Sequence, residues 1–346
     1  MTMRIDPRKA AIAAAVLLPV STATAFDALS LLDARGQDDA DDVATAVASA
    51  PTASDEDEGG LMFRRVDRGT YVSGGYLHEF GSDFSGGGSV SVDRGFGGAG
   101  VAVQFHPEVK GSVGVAWGGD WYRFEGDSDL SPSPGSAPWS DIHAITALAS
   151  ANWQIDPRWS ANLGLRIGTA GETGAKVADS IVYGGNLAVS YSFSRAFTLG
   201  AGALVQTQIE DRPLIIPLLV VYWQATDTIV VSNVLGPEAY PTGAGLEAAW
   251  RPDPATELAI GSRYEVRRFR LDDTGDAIRR EGIGEDIGLP IWARATWRFD
   301  NGLRLDLVGG VSLMNEYSLD DRDGNEIAGT DLDPAPFIAG FVSWRF

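Results

Sequence analysis

The feature that most constrains the fold is a period of two that runs through the chain from Gly69 to its last residue. Runs of about ten to sixteen residues alternate apolar residues with small or polar ones, and turn residues separate the runs. Such alternation is typical of β-strands that have one apolar and one polar face. A strand that crosses a bilayer needs roughly 9–11 residues, so these runs are long enough to span a membrane. The pattern therefore predicts an all-β fold.

Aromatic residues mark one side of the predicted sheet, because strands that run to this side end on an aromatic ring followed by a tight turn. The aromatic endings are Phe105, Trp153, Tyr191, Trp223, Trp250, Trp297 and Trp344. Aromatic rings are favoured where one edge is apolar and the other is wet, so membrane barrels carry aromatic girdles at their interfaces. We therefore interpret these residues as interface aromatics on one side of a membrane.

The connections between the strands are asymmetric. Short turns follow the aromatic endings, whereas the connections on the other side are mostly longer and polar, at residues 126–139, 171–179, 272–285 and 320–333. Outer-membrane barrels have short periplasmic turns and long outer loops. The asymmetry predicts a transmembrane antiparallel β-barrel with both ends of the strand region in the periplasm.

The predicted barrel has about 14 strands. They are residues 70–80, 96–106, 110–124, 141–155, 158–169, 180–193, 196–209, 213–224, 227–235, 242–251, 256–270, 287–299, 302–316 and 334–346. Twelve strands are the alternative, because the first strand pair and the pair around Pro217 alternate least clearly. A soluble β-sandwich also has regular strands, but it does not explain aromatic residues on one side only.

The N-terminal region differs from the strand region. Arg4, Arg8 and Lys9 precede a short apolar run, and the small residues Ala23-Thr24-Ala25 follow it, which is the layout of a secretory signal peptide. We predict a signal peptide at residues 1–25, a disordered acidic periplasmic linker at 26–60, and the barrel at 61–346.

Composition narrows the classes of function. The formal net charge is −20, which argues against binding nucleic acid, because phosphate binding needs a basic surface. The chain contains no cysteine, so it has neither a disulfide nor a lipid-anchored cysteine. We expect an exported protein that is stabilised by its own hydrogen bonds and packing.

Together, the N-terminal signal, the alternating strands and the final stretch "FVSWRF" resemble a Gram-negative outer-membrane β-barrel. The stretch "RPLIIPLLVVYWQ" followed by "LEAAWRPDP" further resembles a porin-like family without an assigned activity. The resemblance implies a location in the outer membrane, in contact with lipid and lipopolysaccharide. It also implies that Val342, Trp344 and Phe346 form the signal that the barrel-assembly machinery reads.

Every second residue of each predicted strand faces the lumen, and most of the charged residues among these lie on one wall. The predicted pore-lining residues are Arg166, Glu247, Arg263, Glu265, Arg267, Arg294, Arg304 and Asp306. All except Arg166 lie on the strands between residues 242 and 316, and the opposite wall is mostly small and neutral. We expect Arg263 and Arg294 to face each other across adjacent strands. They either set the ion preference of a pore or pair with neighbouring carboxylates and brace the barrel.

Two short patterns are candidate sites of chemistry. The three histidines are His78, His106 and His143, and no serine lies at a matching height beside His143, so we predict no enzyme and no cofactor. Asp321, Asp323 and Asn325 are spaced like a calcium loop with the glycine misplaced. A hairpin tip is the preferred interpretation, and a weak surface site for a divalent ion is the alternative. No metal centre is predicted.

The sequence favours a narrow passive pore for small solutes, because about 14 strands lie between filled eight-stranded barrels and open porins. One alternative is a structural or surface-interaction barrel without transport. Another is a carrier of apolar molecules, since the strand pair around Pro217 is apolar on both faces and a plain water-filled pore does not explain that. The residues specify neither the solute nor the oligomeric state.

Overall fold

The computed structural model describes residues 69–131, 135–233, 244–274 and 279–346. The predicted signal peptide and linker lie outside these ranges. The strands are β1 (Gly69–Asp83), β2 (Ser89–His106), β3 (Val109–Glu125), β4 (Asp141–Gln154), β5 (Trp159–Glu172), β6 (Ile181–Ser194), β7 (Phe197–Gln208), β8 (Asp211–Gln224), β9 (Ile229–Ser232), β10 (Ala244–Asp253), β11 (Thr256–Arg270), β12 (Ile283–Arg298), β13 (Leu303–Asp320), β14 (Glu326–Leu332) and β15 (Ala335–Arg345). Among the described residues, no helix is long and apolar enough to cross a membrane.

The strands form a closed antiparallel barrel. Each strand pairs with the next along the chain, and β15 closes the ring by pairing with both β13 and β1. β14 and β15 are two segments of one strand, because both pair with β13 in succession around a break at residues 333–334. The barrel therefore has 14 strands, and the predicted fold class and strand count are confirmed.

Short turns connect the strands at one end of the barrel, called here the turn end, and side chains cap several of them. Asp156 accepts hydrogen bonds from the backbone N–H groups of Arg158 and Trp159, at 2.7 Å each. Asp253 does the same for Ala255 and Thr256 at 2.9 Å. Aspartate favours such turns because its short side chain satisfies N–H groups that the strand ladder leaves free.

The predicted interface aromatics lie together at the turn end, at the last positions of their strands. Their rings point away from the lumen, and most are about half exposed, as Trp153 (49%), Trp223 (50%) and Trp250 (48%) show. Further from the turn end, the outward-facing positions are occupied by exposed branched residues such as Ile145 and Ile260. An apolar outer band bounded by aromatic rings is the surface that a transmembrane barrel presents to lipid.

The opposite end, called here the loop end, differs from expectation in two connections. The predicted long loop at residues 320–333 is mostly β14, which folds back on β13 and leaves a turn at residues 321–325. β12 begins at Ile283, so the preceding connection is also shorter than predicted. Strands that extend beyond a membrane thickness gain ladder hydrogen bonds, and the sequence alternation there is too weak to reveal them.

Strand β8 is apolar on both faces, and it contains two prolines on one parity. Val221 donates its N–H to the Asn233 side chain at 2.7 Å, so odd-numbered residues of β8 direct their N–H positions towards β9. Pro213 and Pro217 share this parity and have no N–H to direct there. In the described part of the chain, no strand pairs with residues 211–218 on this side. The even-numbered residues Leu214, Ile216 and Leu218 face the lumen, so β8 is apolar towards both lipid and lumen.

Candidate functional site in the barrel lumen

The wall formed by β10–β13 carries a buried charge cluster, called here the Arg294 cluster, near the turn end. It consists of Arg294, Glu247, Glu257 and Asp306. The Arg294 guanidinium pairs with Glu247, with Glu257 at 2.7 Å and with Asp306 at 3.1 Å. All four side chains are buried, so the cluster excludes water from this part of the lumen. Three carboxylates on one arginine leave an excess of negative charge.

Arginines at the edge of this cluster offset the excess. Arg251 and Arg298 pair with Glu257 at 2.6 and 2.9 Å, and Arg304 pairs with Asp306 at 2.9 Å. The predicted charged wall is therefore an internally neutralised network, in which each carboxylate has more than one cationic or hydrogen-bonding partner. Such pairing cancels much of the field that unpaired arginines would project into a pore.

A second network, called here the Arg94 cluster, crosses the lumen. Arg94 of β2 pairs with Asp286 of β12 at 2.9 Å and with Asp120 of β3 at 3.3 Å. Tyr122 of β3 donates a hydrogen bond to Asp286 at 2.9 Å. Arg267 of β11 lies 3.8 Å from Asp120. Since β3 and β11 lie on opposite sides of the ring, these ion pairs hold two opposite walls together and divide the lumen.

Aromatic packing closes the lumen above the Arg94 cluster, towards the loop end. Trp139, from the connection between β3 and β4, folds inward and is completely buried. Its ring lies 5.4 Å from Phe269, 5.6 Å from Tyr317 and 5.8 Å from Tyr122. Rings at such separations pack in edge-to-face arrangements that stabilise beyond their buried area. Trp139 is therefore the centre of an apolar closure inside the barrel.

Hydrogen bonds seal the same end outside the rings. Arg270 donates to the carbonyl oxygens of Asp179 and Glu281, at 3.0 and 2.7 Å, and to the Glu210 carboxylate at 2.6 Å. It thereby joins three separate connections. The backbone of Arg270 also pairs with Gly171 of β5, across the ring, in a parallel bridge.

A carboxylate organises the neighbouring part of the seal. Glu172 accepts hydrogen bonds from the backbone N–H groups of Ser140 and Asp272 at 2.9 Å, and it pairs with Arg279 at 3.3 Å. At the exposed rim, a hydrogen bond from Lys176 lowers the pKa of Glu281. We call the Trp139 rings together with the Arg270 and Glu172 contacts the loop-end closure.

The wall formed by β4–β8 has a different character. Hydroxyl and amide groups pair across neighbouring strands, as Ser112 with Ser150 at 2.8 Å and Asn186 with Asn162 at 2.7 Å show. Towards β8 the inward residues become apolar, and Leu214, Ile216 and Val220 remain partly exposed there. Glycines occupy inward positions 164, 168, 184, 200 and 202. Small side chains fill little of the lumen, so this half is less filled than the charged half.

Arg166 is the exception on this neutral wall. It lies on β5 between Leu148 of β4 and Gly184 of β6. Within the described residues it has no ion pair, and its Nε is buried without a hydrogen-bond partner. Each other predicted lumen arginine has a carboxylate partner: Arg263 and Arg267 with Glu265, Arg294 with Glu247, and Arg304 with Asp306.

The eight predicted pore-lining residues all lie on the inward parity, but one expected pair is wrong. Arg294 lies opposite Ala259 in the β11–β12 ladder, so it does not face Arg263. Arg263 instead donates to Glu265 at 3.0 Å and lies 5.5 Å from the Trp292 ring. The β11–β12 ladder keeps one register, with Thr256 opposite Trp297, so Arg263 lies 7 residues from that end of the ladder and Arg294 only 3.

Sequence reasoning missed Arg94 and Trp139. Arg94 lies two residues from Phe96 and therefore faces the same way, so its inward orientation could be inferred from the sequence. The glycines around it nevertheless favour a loop. Trp139 lies in a predicted loop, and no local pattern indicates that it turns into the lumen. Both owe their roles to contacts across the barrel, which strand periodicity does not encode.

The histidines and the aspartate-rich turn lie away from the lumen. His143 faces outward between the rings of Trp117 and Trp121, each 6.2 Å away. In the turn at residues 321–325, Asp321 accepts hydrogen bonds from the backbone N–H groups of Asp323 and Asn325 at 2.9 Å. This is the geometry of a capped hairpin tip. No metal-binding group of three or more ligands occurs among the residues that the structure describes.

No protein-family model matches the chain, and no curated protein matches it. The solved structures that it resembles include outer-membrane β-barrel channels, and the translocator domain of autotransporter NalP from Neisseria meningitidis is also similar. The COG4313 outer membrane channel from Pseudomonas putida F1 has 11% identity and a TM-score of 0.43, covering 85% of this chain and 100% of that one.

Two further structures are similar. A deltaS2 mutant of the TodX monoaromatic hydrocarbon channel has 10% identity and a TM-score of 0.44, covering 82% of this chain and 91% of that one. A Pseudomonas aeruginosa FadL homologue has 13% identity and a TM-score of 0.42, covering 81% and 89%. These likenesses concern the fold alone.

Proposed function

We propose that this chain is an outer-membrane channel through which small solutes with an apolar portion diffuse passively. The observation that carries the proposal is the unequal lining of the two halves of the lumen. The Arg294 and Arg94 clusters pack the charged half, whereas glycines and partly exposed aliphatic side chains line the half formed by β5–β8. A barrel that served only as a structural element would gain stability by filling both halves.

The lining of this less filled half supports the class of solute. Leu204 is buried, and Leu214, Ile216 and Val220 present aliphatic surface towards the lumen. Moving apolar surface out of water is favourable by roughly 25 cal/mol per Å². A solute with an apolar portion gains from this wall, whereas a fully hydrated ion or sugar does not.

The described arrangement is then the closed form of the channel. The loop-end closure spans the lumen through Trp139, Arg270 and Glu172. Passage requires the connection that carries Trp139 to move aside and the bonds from Arg270 and Glu172 to the other connections to break, while these two strand residues stay in the wall. Such movement does not break the strand ladders below, so the barrel wall persists in both forms.

Conductance in planar bilayers tests the proposal. The purified full chain is expected to give discrete steps in KCl, and benzamide is expected to shorten the open periods more than acetamide at equal concentration. The two probes share an amide and differ in an apolar ring. If folded protein gives no steps, a structural or surface-interaction barrel replaces the channel. If both amides act equally, the preference for apolar solutes fails.

The outer-membrane location and the assembly role of the last strand belong to the same proposal. Phe346 pairs through its backbone with Thr70 of β1 at 2.9 and 3.0 Å, and its ring lies 5.1 Å from Trp344 on the outward face. Val342 shares this outward parity. The strand that closes the barrel thus presents three apolar side chains to lipid, a surface suited to recognition by the barrel-assembly machinery.

The variant Phe346→Ser is expected to reduce the amount of heat-modifiable barrel recovered from the outer membrane. Phe105→Ser is the control, because Phe105 is also an exposed aromatic at the turn end but lies on β2. Equal loss in both variants would indicate a general interface effect. Undiminished Phe346→Ser barrel would remove the assembly role.

A further inference from the structure

We propose that Arg166 is a binding site for the carboxylate group of small acids with an apolar portion. This inference rests on the proposed channel and narrows its solute class. Arg166 lies on the neutral wall, in the less filled half of the lumen. A guanidinium binds a carboxylate through charge-assisted and often bidentate hydrogen bonds.

Within the described residues, no carboxylate pairs with Arg166, and its Nε is buried without a hydrogen bond. A buried polar group without a partner costs free energy, and a charged one costs more. The pattern elsewhere in the lumen is the reverse, since Arg94, Arg294 and Arg304 each pair with carboxylates.

Arg166 is only partly buried, so its side chain is accessible to a ligand in the lumen. Gly184 lies directly opposite on β6, and Gly164 and Gly168 are its inward neighbours along β5. The adjacent lumen residue on β4 is Leu148, which contributes aliphatic surface and no acceptor. Three of these four neighbours of Arg166 are therefore glycines, and none of the four supplies a side-chain acceptor.

The register places an apolar wall within reach of an acid bound there. The inward row that contains Arg166 continues through Gly184 and Gln206 to Leu214. Neighbouring strands are about 4.8 Å apart, so Leu214 lies roughly 14 Å from Arg166 along this row. Leu204 lies one row away and one strand nearer. An aromatic or medium-chain acid can therefore contact the arginine and the aliphatic wall together.

Binding in nanodiscs that contain the full chain tests the site. The probe is 4-(trifluoromethyl)benzoate, and its neutral analogue is 4-(trifluoromethyl)benzamide, both followed by fluorine NMR. We expect Arg166→Gln to weaken benzoate binding by about tenfold or more, as loss of a hydrogen bond to a charged group does. Benzamide binding should change little, and Arg166→Lys should retain part of the benzoate affinity.

Arg304→Gln is the matched control, because it removes the same charge from a lumen arginine that already pairs with Asp306. It should leave benzoate binding near the wild-type value. Equal weakening in both variants would indicate a general effect of lumen charge, and unchanged binding in Arg166→Gln would overturn the site. Heat-modifiable mobility of each variant verifies folding.

The carboxylate has a second potential source, because acidic residues of this chain lie outside the described ranges. The full chain with every acidic residue outside the described ranges changed to its amide separates the two sources. Benzoate binding to the wild type supports the solute site. Binding that occurs only after this change, or in neither protein, overturns it. Conductance of the same purified protein in planar bilayers keeps the two proposals distinct. Conductance steps without benzoate binding would remove only the Arg166 site, and benzoate binding without conductance steps would remove only the channel.

Discussion

The variant Arg294→Met is expected to lose about 3–5 kcal/mol of unfolding free energy, the range measured when one partner of a buried ion pair is removed. Arg294 pairs with Glu247, Glu257 and Asp306, and all three carboxylates are buried beside it. Removing the guanidinium leaves Glu247 buried without a cationic partner among the described residues, while Glu257 and Asp306 keep only the arginines at the edge of the cluster. Urea unfolding in lipid vesicles, followed by the heat-modifiable band shift, measures the change.

Two further variants separate the charge effect from lost packing. Arg304→Met removes an arginine from the edge of the same cluster, where Arg294 still neutralises Asp306, so its cost should be much smaller. Combining Arg294→Met with Glu247→Gln should recover part of the stability, because the carboxylate that loses its cationic partner is then neutral. If Arg294→Met is as stable as Arg304→Met, the cluster does not brace the barrel.

The strand architecture was predictable because its signals are local. Alternation with period two identifies each strand from its own residues, and a ring such as Trp153 or Trp250 marks the end of its strand without reference to neighbours. Even the two-sided apolar character of β8 was visible around Pro217.

The closed lumen was not predictable, because it depends on contacts between strands far apart in the ring. Arg94 and Asp286 are separated by 192 positions in the chain, and the parity of each says only that it faces inward. Whether two inward side chains meet depends on register and on how far the barrel is flattened. The same limit explains why the expected pairing of Arg263 with Arg294 was wrong, although both residues face the lumen.

Replacing Trp139 by alanine is expected to open the channel. A buried tryptophan changed to alanine typically costs 3–5 kcal/mol. If the ring packs against Phe269 and Tyr317 only in the closed form, that cost falls on the closed form alone. Since 1.4 kcal/mol changes an equilibrium tenfold, the ratio of open to closed channels should rise by roughly two to three orders of magnitude. Open probability in single-channel recordings measures it.

The control is Trp117→Ala, which removes the same ring from the outward face of β3, where Trp117 stacks on His143 and not in the lumen. Its open probability should match the wild type.

Glu172→Gln provides an independent route to the same state, because it removes the charge that holds Arg279 while leaving the Trp139 rings intact. It should raise the open probability by a smaller factor. If Trp139→Ala folds and conducts like Trp117→Ala, the loop-end closure is a fixed part of the barrel wall. Gating would then have to reside elsewhere in the less filled half of the lumen.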